Sequence, residues 1–246
     1  MQLLLLSNST NHGAGYLEHA IEAVTTHLEG RAVTFVPYAL ADHDAYTGKV
    51  RDALAPHGIA VRGLHECADP VTGVDEAEAV FVGGGNTFRL LEALQRTGAM
   101  KRLRARVRAG LPYMGASAGT NIAAPTIRTT NDMPIVEPES FRALDLVPFQ
   151  INPHYLDADP NSTHNGETRE QRLTEFLEEN DAPVLGLREG AWLHLTDGVA
   201  TVGGTAVSAT AAGPAVLFRR GANAPLEVSG DVSDLLRIRP DFDARS

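Results

Sequence analysis

The sequence predicts an α/β fold: a doubly wound, largely parallel sheet with an antiparallel extension, in a single domain covering residues 1–246. Three observations predict it. Short apolar runs alternate with amphipathic stretches through the first half, the order expected when crossover helices join parallel strands. Each amphipathic stretch closes on a glycine, the residue that most easily ends a helix. In the last quarter the runs become β-rich and are separated by Asp-Gly, Gly-Gly and Gly-Pro turn signals, which suit hairpins.

Taken in order, the predicted strands of the first half are "QLLLLS", "AVTFVPYA", "IAVRGLH", "AVFVGG" and "PYMGAS". Between them, "YLEHAIEAVTTHLEG", "AYTGKVRDALAPHG" and "NTFRLLEALQRTGAMKRLRARVRAG" carry apolar residues three or four apart and read as helices. After Pro125 a long polar segment runs to a helix expected near Glu167. Beyond it, "PVLGLREGAWLHLTDGVATVGGTAVSATAAGPAVLFRRG" supplies the antiparallel part, so the sheet should be mixed. No internal repeat or long linker divides the chain.

Composition narrows the partners. The 246 residues are 43% hydrophobic and carry a formal net charge of -10, with no long basic run. This argues against nucleic acid or an anionic membrane and favours small molecules. The basic helix "FRLLEALQRTGAMKRLRARVRAG" fits an ordinary amphipathic helix with a solvated face better than an RNA-binding surface. The one cysteine, Cys67, cannot form an internal disulfide. The start "MQLLLLS" has no cationic leader and is too short for a membrane span, so a cytoplasmic protein is expected. The sequons at Asn8 and Asn161 carry no weight without a secretory signal. No H-E-x-x-H, C-x-x-C or EF-hand pattern is present, so no metal or cofactor is expected.

The chemistry centres on Gly115-Ala-Ser-Ala-Gly119, a G-x-S-x-G pattern between a strand and a helix. A strand that turns abruptly into a helix holds its corner residue in a strained conformation, with the side chain projecting above the sheet. Ser117 is therefore the candidate nucleophile, against the plain reading of a tight packing turn. A second glycine corner, Gly83-Gly84-Gly85, ends the preceding strand and would deliver its backbone to the same crevice. The candidate oxyanion donors are the N–H groups of Gly85 and Ala118, with the N-terminus of the helix after Ser117 adding partial positive charge. The glycine spacing fits neither nucleotide-binding fingerprint.

A serine needs a base, and nine histidines compete. His19 and His27 fall in an amphipathic helix, His57 precedes a helix-ending glycine, and His12, His43, His65 and His164 have polar or turn-like surroundings that suggest the surface. His194 alternates within a strand. His154 differs: "VPFQINPHYLD" is an apolar run ending at Pro153, as a strand would present a side chain at a sheet's rim. Any of them could instead be a structural donor. The carboxylate that would orient the base is open among Asp132, Asp157, Asp159 and Glu189; the last follows a strand-like run, where a solvated charge is the default.

Together, "FVGGGNTFRLL", "GASAGTNIAAPTIRTTNDMPIV", "INPHYLD", "NGETREQRLTEFL" and "GLREGAWL" resemble the peptidase E (aspartyl dipeptidase) family of serine peptidases, in family order over about residues 80 to 195. The resemblance implies a three-layer α/β fold similar to class I glutamine amidotransferases, a homodimer, and hydrolysis of dipeptides that begin with aspartate. It implies Ser117 as nucleophile, His154 as general base and Glu189 as the group that orients it, with Asp132 lining the pocket. Thr120, where alanine is common, and Arg188, before the glutamate, depart from the pattern without removing a required group. An N-terminal aspartate brings a carboxylate, for which Arg169 is the candidate partner and Arg128 the competitor, with Asn86 adding an amide. The alternatives are an isoaspartyl or cyanophycin-like peptide hydrolase, a glutamine amidotransferase lacking its cysteine, and a non-catalytic small-molecule binding module of the same fold.

Overall fold

A computed structural model describes residues 1–158, 166–208 and 211–243. Asp159, Asn161 and His164, raised above as candidates, lie outside the described residues. The first half alternates as expected: β1 (Leu3–Leu6), α1 (Ile21–Leu28), β2 (Val33–Val36), α2 (His43–Leu54), β3 (Val61–Gly63), α3 (Pro70–Asp75), β4 (Ala79–Val82), α4 (Thr87–Arg96), α5 (Ala99–Arg108), β5 (Tyr113–Ala116) and the single turn α6 (Ala118–Asn121). The second half holds β6 (Gln150–Tyr155), α7 (Arg169–Glu179), β7 (Val184–Arg188), β8 (Ala191–Thr196), β9 (Val199–Gly204), β10 (Ala215–Phe218), β11 (Leu226–Val228) and β12 (Gly230–Asp231).

The main sheet has eight strands in the order β12-β9-β8-β1-β5-β4-β2-β3. Its five strands β1, β5, β4, β2 and β3 are parallel, and β8, β9 and β12 form the antiparallel extension. Alternation along β1 shows why the run of leucines is needed. Leu4 and Leu6 pack with Val24, Leu28, Val50 and Leu54 of α1 and α2 on one face. Leu3 and Leu5 pack with Leu90, Leu94, Leu103 and Val107 of α4 and α5 on the other. A strand buried on both faces reads as continuous apolar sequence.

Two features differ from the sequence reading. The long stretch before β5 is two helices, because Gly98 adopts φ 72 between α4 and α5, and such a left-handed residue stops the helical hydrogen-bond ladder. More important for the site, β6, β7, β10 and β11 leave the main sheet and form a second sheet, ordered β11-β10-β7-β6. One face of it, through Ile151, Leu185, Leu187 and Leu217, joins the core of the main sheet. Tyr155, Val184, Val216 and Phe218 on the other face pack with Leu173 and Leu177 of α7. Helix α7 starts at Arg169 behind a reciprocal cap in which the Thr168 Oγ1 accepts the Gln171 N–H at 3.1 Å. Among the described residues no helix is long and apolar enough to cross a membrane.

Candidate active site

Ser117 occupies the corner between β5 and α6 at φ 53, ψ -110. A non-glycine residue in this region is strained by roughly 1–3 kcal/mol and persists only where its surroundings over-determine it. Here they do. A Cβ on Gly115 would come 2.5 Å from the Gly119 carbonyl oxygen, and one on Gly119 would come 2.1 Å from the Val82 carbonyl oxygen. Both positions of the G-x-S-x-G pattern therefore exclude a side chain. The Ser117 N–H donates to the Leu6 carbonyl at 3.1 Å. Thr120 holds the same carbonyl through its hydroxyl at 2.6 Å, a contact that alanine could not make. Asn121 reaches from α6 to the Ile151 carbonyl at 2.8 Å and so fastens the corner to β6.

His154 arrives on β6 at φ 54, where the pairing of β6 with β7 shifts register between Asn152 and Tyr155. At this irregularity the His154 backbone leaves the ladder, and its imidazole faces Ser117 at the end of β5. Its backbone N–H donates to the Ser7 hydroxyl at 2.9 Å, and that hydroxyl donates onward to the Leu187 carbonyl at 2.9 Å. Its Nδ1 lies 2.7 Å from Glu189 Oε1 and its Nε2 lies 2.8 Å from Ser117 Oγ. A carboxylate can only accept, so Nδ1 carries the proton, which leaves Nε2 free to accept from the serine. Glu189 follows β7 and is positioned by its neighbour, since the Gly190 N–H donates to Asn8 Oδ1 at 2.8 Å. The His154 and Glu189 side chains remain 36% and 41% exposed, so the group is open to water before a substrate covers it.

The other candidates are placed elsewhere. Asp132 accepts from the Thr87 backbone and hydroxyl at 2.7 and 2.6 Å, and Asn86 caps α4 through the Arg89 N–H while donating to the Met133 carbonyl at 2.9 Å. Arg128 is committed to Asp243, at 2.7 Å, and to Asn180. Arg169 is half-buried; burial lowers its pKa, Arg172 adds to that, and Asp132 opposes both. Among the histidines, His27 is buried against His194 at 5.6 Å between ring centroids, and burial, then His194, lowers its pKa to about 4. His65, expected at the surface, is only 15% exposed and bonds Asp44. Asp44, His65 and Glu66 could by composition hold a cation, but Glu66 is spent on the Gly63 N–H and on Arg51. Cys67 is half-buried beyond β3, where burial pushes its thiol up.

A cavity of about 360 Å³ opens on Ser117 and His154. Gly84 and Gly85 form one wall, and a Cβ at Gly84 would meet Ser117 Cβ at 3.0 Å. Gly85 needs its φ of 131 and its bare backbone, because a Cβ there would meet the Ala39 carbonyl oxygen at 2.7 Å. The remaining wall comes from residues to which the sequence reading gave no part in the site: Asn8, Ser9 and Thr10 after β1, and Tyr16, Leu40, Tyr46 and Lys49. Their one available signal was position. A polar stretch directly after a fully buried parallel strand lies where open α/β sheets bind ligands.

The sequence profile described as Peptidase family S51 matches residues 3–203. A protein named Peptidase E from Streptomyces coelicolor is 65% identical over 245 residues, covering 99% of this chain and 98% of that one. A protein named Probable alpha-aspartyl dipeptidase from Drosophila melanogaster is 56% identical over 192 residues, covering 76% of this chain and 80% of that one. In fold, the chain is similar to the crystal structure of a peptidase from an acI-B1 actinobacterium, with a TM-score of 0.66 at 16% identity and 93% of each chain covered.

Proposed function

Since the chain belongs to peptidase family S51 and is a serine peptidase, we propose that it is a dipeptidase that removes an N-terminal aspartate through a Ser117-His154-Glu189 triad. The observation that carries this reading is the single imidazole bridging Ser117 Oγ at 2.8 Å and Glu189 Oε1 at 2.7 Å. As the Ser117 oxygen attacks the scissile carbonyl carbon, His154 Nε2 takes its proton and Glu189 stabilises the imidazolium. The oxyanion would be met by the N–H groups of Gly85 and Ala118. Because α6 is only one turn long, these individual donors supply the stabilisation rather than a long helix dipole.

Collapse of the tetrahedral intermediate breaks the C–N bond, and the proton on Nε2 passes to the leaving amine. The aspartyl ester on Ser117 then yields to a water molecule, with His154 again accepting the proton, and aspartate leaves. The substrate's aspartyl carboxylate is assigned to Arg169, with Asn86 and Asp132 shaping that end of the site. A cytoplasmic location and, as the family resemblance implies, a homodimer accompany this assignment.

The test is release of free aspartate from Asp-Leu, with Ala-Leu, the β-linked isomer of Asp-Leu and Ser117→Ala as controls. Hydrolysis of Asp-Leu alone, lost in Ser117→Ala, is expected. Failure of the purified protein to cleave Asp-Leu, or preference for the β-linked isomer, would overturn the proposed specificity.

A further inference from the structure

We propose that Lys49 binds the free C-terminal carboxylate of the substrate and so makes the enzyme favour dipeptides over substrates without that charge; this rests on the Asp-X reading above. Lys49 lies on α2 and lines the cavity that opens on Ser117 and His154. It has no ion-pair partner among the described residues. A cation left unpaired beside the nucleophile is informative in a chain with a net charge of -10, because acidic side chains would otherwise neutralise it.

The ammonium is also placed. Its Nζ sits 4.8 Å from the centroid of the Tyr16 ring, a separation at which the ring face attracts a cation without using its hydrogen-bond donors. Tyr16 is braced in turn: its hydroxyl lies 3.3 Å from that of Tyr46, and the two rings meet edge to face with centroids 6.4 Å apart. Tyr46 is buried against Gly83, where a Cβ would come 2.7 Å from its hydroxyl. Lys49 is therefore tied, through two phenol rings packed edge to face, to the same glycine turn that faces Ser117. Among the described residues no acceptor takes a hydrogen bond from Nζ, which leaves its three donors for a ligand.

An Asp-X dipeptide carries two carboxylates, one on each side of the bond to be cut. Arg169 is electrostatically coupled to Asp132, which is fixed to the start of α4, and neither lines the cavity. Lys49 approaches from α2, on the side of the turn where Tyr46 packs. Two separate cations suit two separate carboxylates, and with Arg169 assigned to the aspartyl one, Lys49 is left for the one on the leaving residue. A charge-assisted contact of this kind changes apparent affinity by roughly 10- to 100-fold.

The experiment compares the wild type with Lys49→Met and Lys49→Arg on Asp-Leu, Asp-Leu-amide and Asp-p-nitroanilide. Lys49 is exposed, so the variants should unfold at the wild-type temperature. For Lys49→Met, KM for Asp-Leu should rise about 10-fold or more with kcat nearly unchanged. Its kcat/KM on the amide and the anilide should fall far less than on Asp-Leu, and Lys49→Arg should keep most of the preference. An unchanged ratio of kcat/KM for Asp-Leu over Asp-Leu-amide in Lys49→Met overturns this inference alone. If the wild type cleaves none of the three substrates, the Asp-X reading falls and takes this inference with it.

Discussion

Replacing Ser7 with alanine should weaken both the fold and the catalysis, although its hydroxyl bonds backbone groups and not Ser117. Its hydroxyl is fully buried and sits between two backbone groups, accepting from the His154 N–H and donating to the Leu187 carbonyl, both at 2.9 Å. Ser7→Ala leaves the buried His154 N–H without its partner and takes one hydrogen bond from the Leu187 carbonyl. An orphaned buried polar group costs about 1–3 kcal/mol, so the variant should lose stability by about that much. For a domain of this size that corresponds to a fall in Tm of roughly 2–12 °C.

The catalytic effect follows from strain. His154 is held at φ 54, and without the Ser7 anchor the backbone can relax towards negative φ, turning the imidazole away from Ser117. A displacement near 1 Å at a reacting group costs on the order of 10²-fold in rate. Urea unfolding read alongside kcat and KM on Asp-p-nitroanilide would measure both effects in one variant. The expected result is a loss of stability with kcat reduced by about 10- to 100-fold and KM little changed. A variant within about 0.5 kcal/mol of wild type that retains full kcat would refute this account of how His154 is held.

Two further perturbations follow from buried charge. Arg188 is 3% exposed and forms paired bonds of 2.6–2.8 Å with Asp157 and Glu227, which raise its pKa. Arg188→Lys cannot reproduce that planar geometry. It should lower stability by about 2–3 kcal/mol, below the usual cost of breaking a buried pair because the carboxylates are 37% and 44% exposed; a denaturation midpoint equal to wild type would contradict this. His27 sets an acid limb. With a folded pKa of about 4 against about 6.5 unfolded, the unfolded chain binds the extra proton first. Stability is complete above pH 6.5 and falls as the pH drops towards 4, by about 3 kcal/mol in all. His27→Leu should flatten that limb between pH 7 and 4.5, though not wholly, since burial lowers His194 in the same direction; an unchanged slope would show that His27 is not the group involved.

What could be read in the sequence depended on how local its cause was. Strands β1, β2, β4 and β5 were legible because burial on both faces writes a largely apolar run, and the corner at Ser117 because only glycine fits at positions 115 and 119. His154 was singled out by context but fixed only by family resemblance. Its placement depends on a register shift and a positive φ that no periodicity encodes. The second sheet was missed for a related reason: hydrophobic pattern marks a strand but does not say which sheet it joins. Lys49 and Tyr46 lie on a helix that reads as ordinary amphipathic sequence. Their importance arises from what α2 packs beside, a long-range property. Asn8, considered only as a sequon, turned out to hold the backbone next to Glu189.

The central claim is that Ser117, activated by His154, carries an acyl group during turnover. It is tested most directly by rapid acid quench during hydrolysis of Asp-p-nitroanilide, followed by peptide mapping. The account predicts an aspartyl ester on Ser117 that forms in the wild type and is lost in Ser117→Ala and His154→Ala. Full turnover in Ser117→Ala, or an acyl group found on another residue, would contradict it.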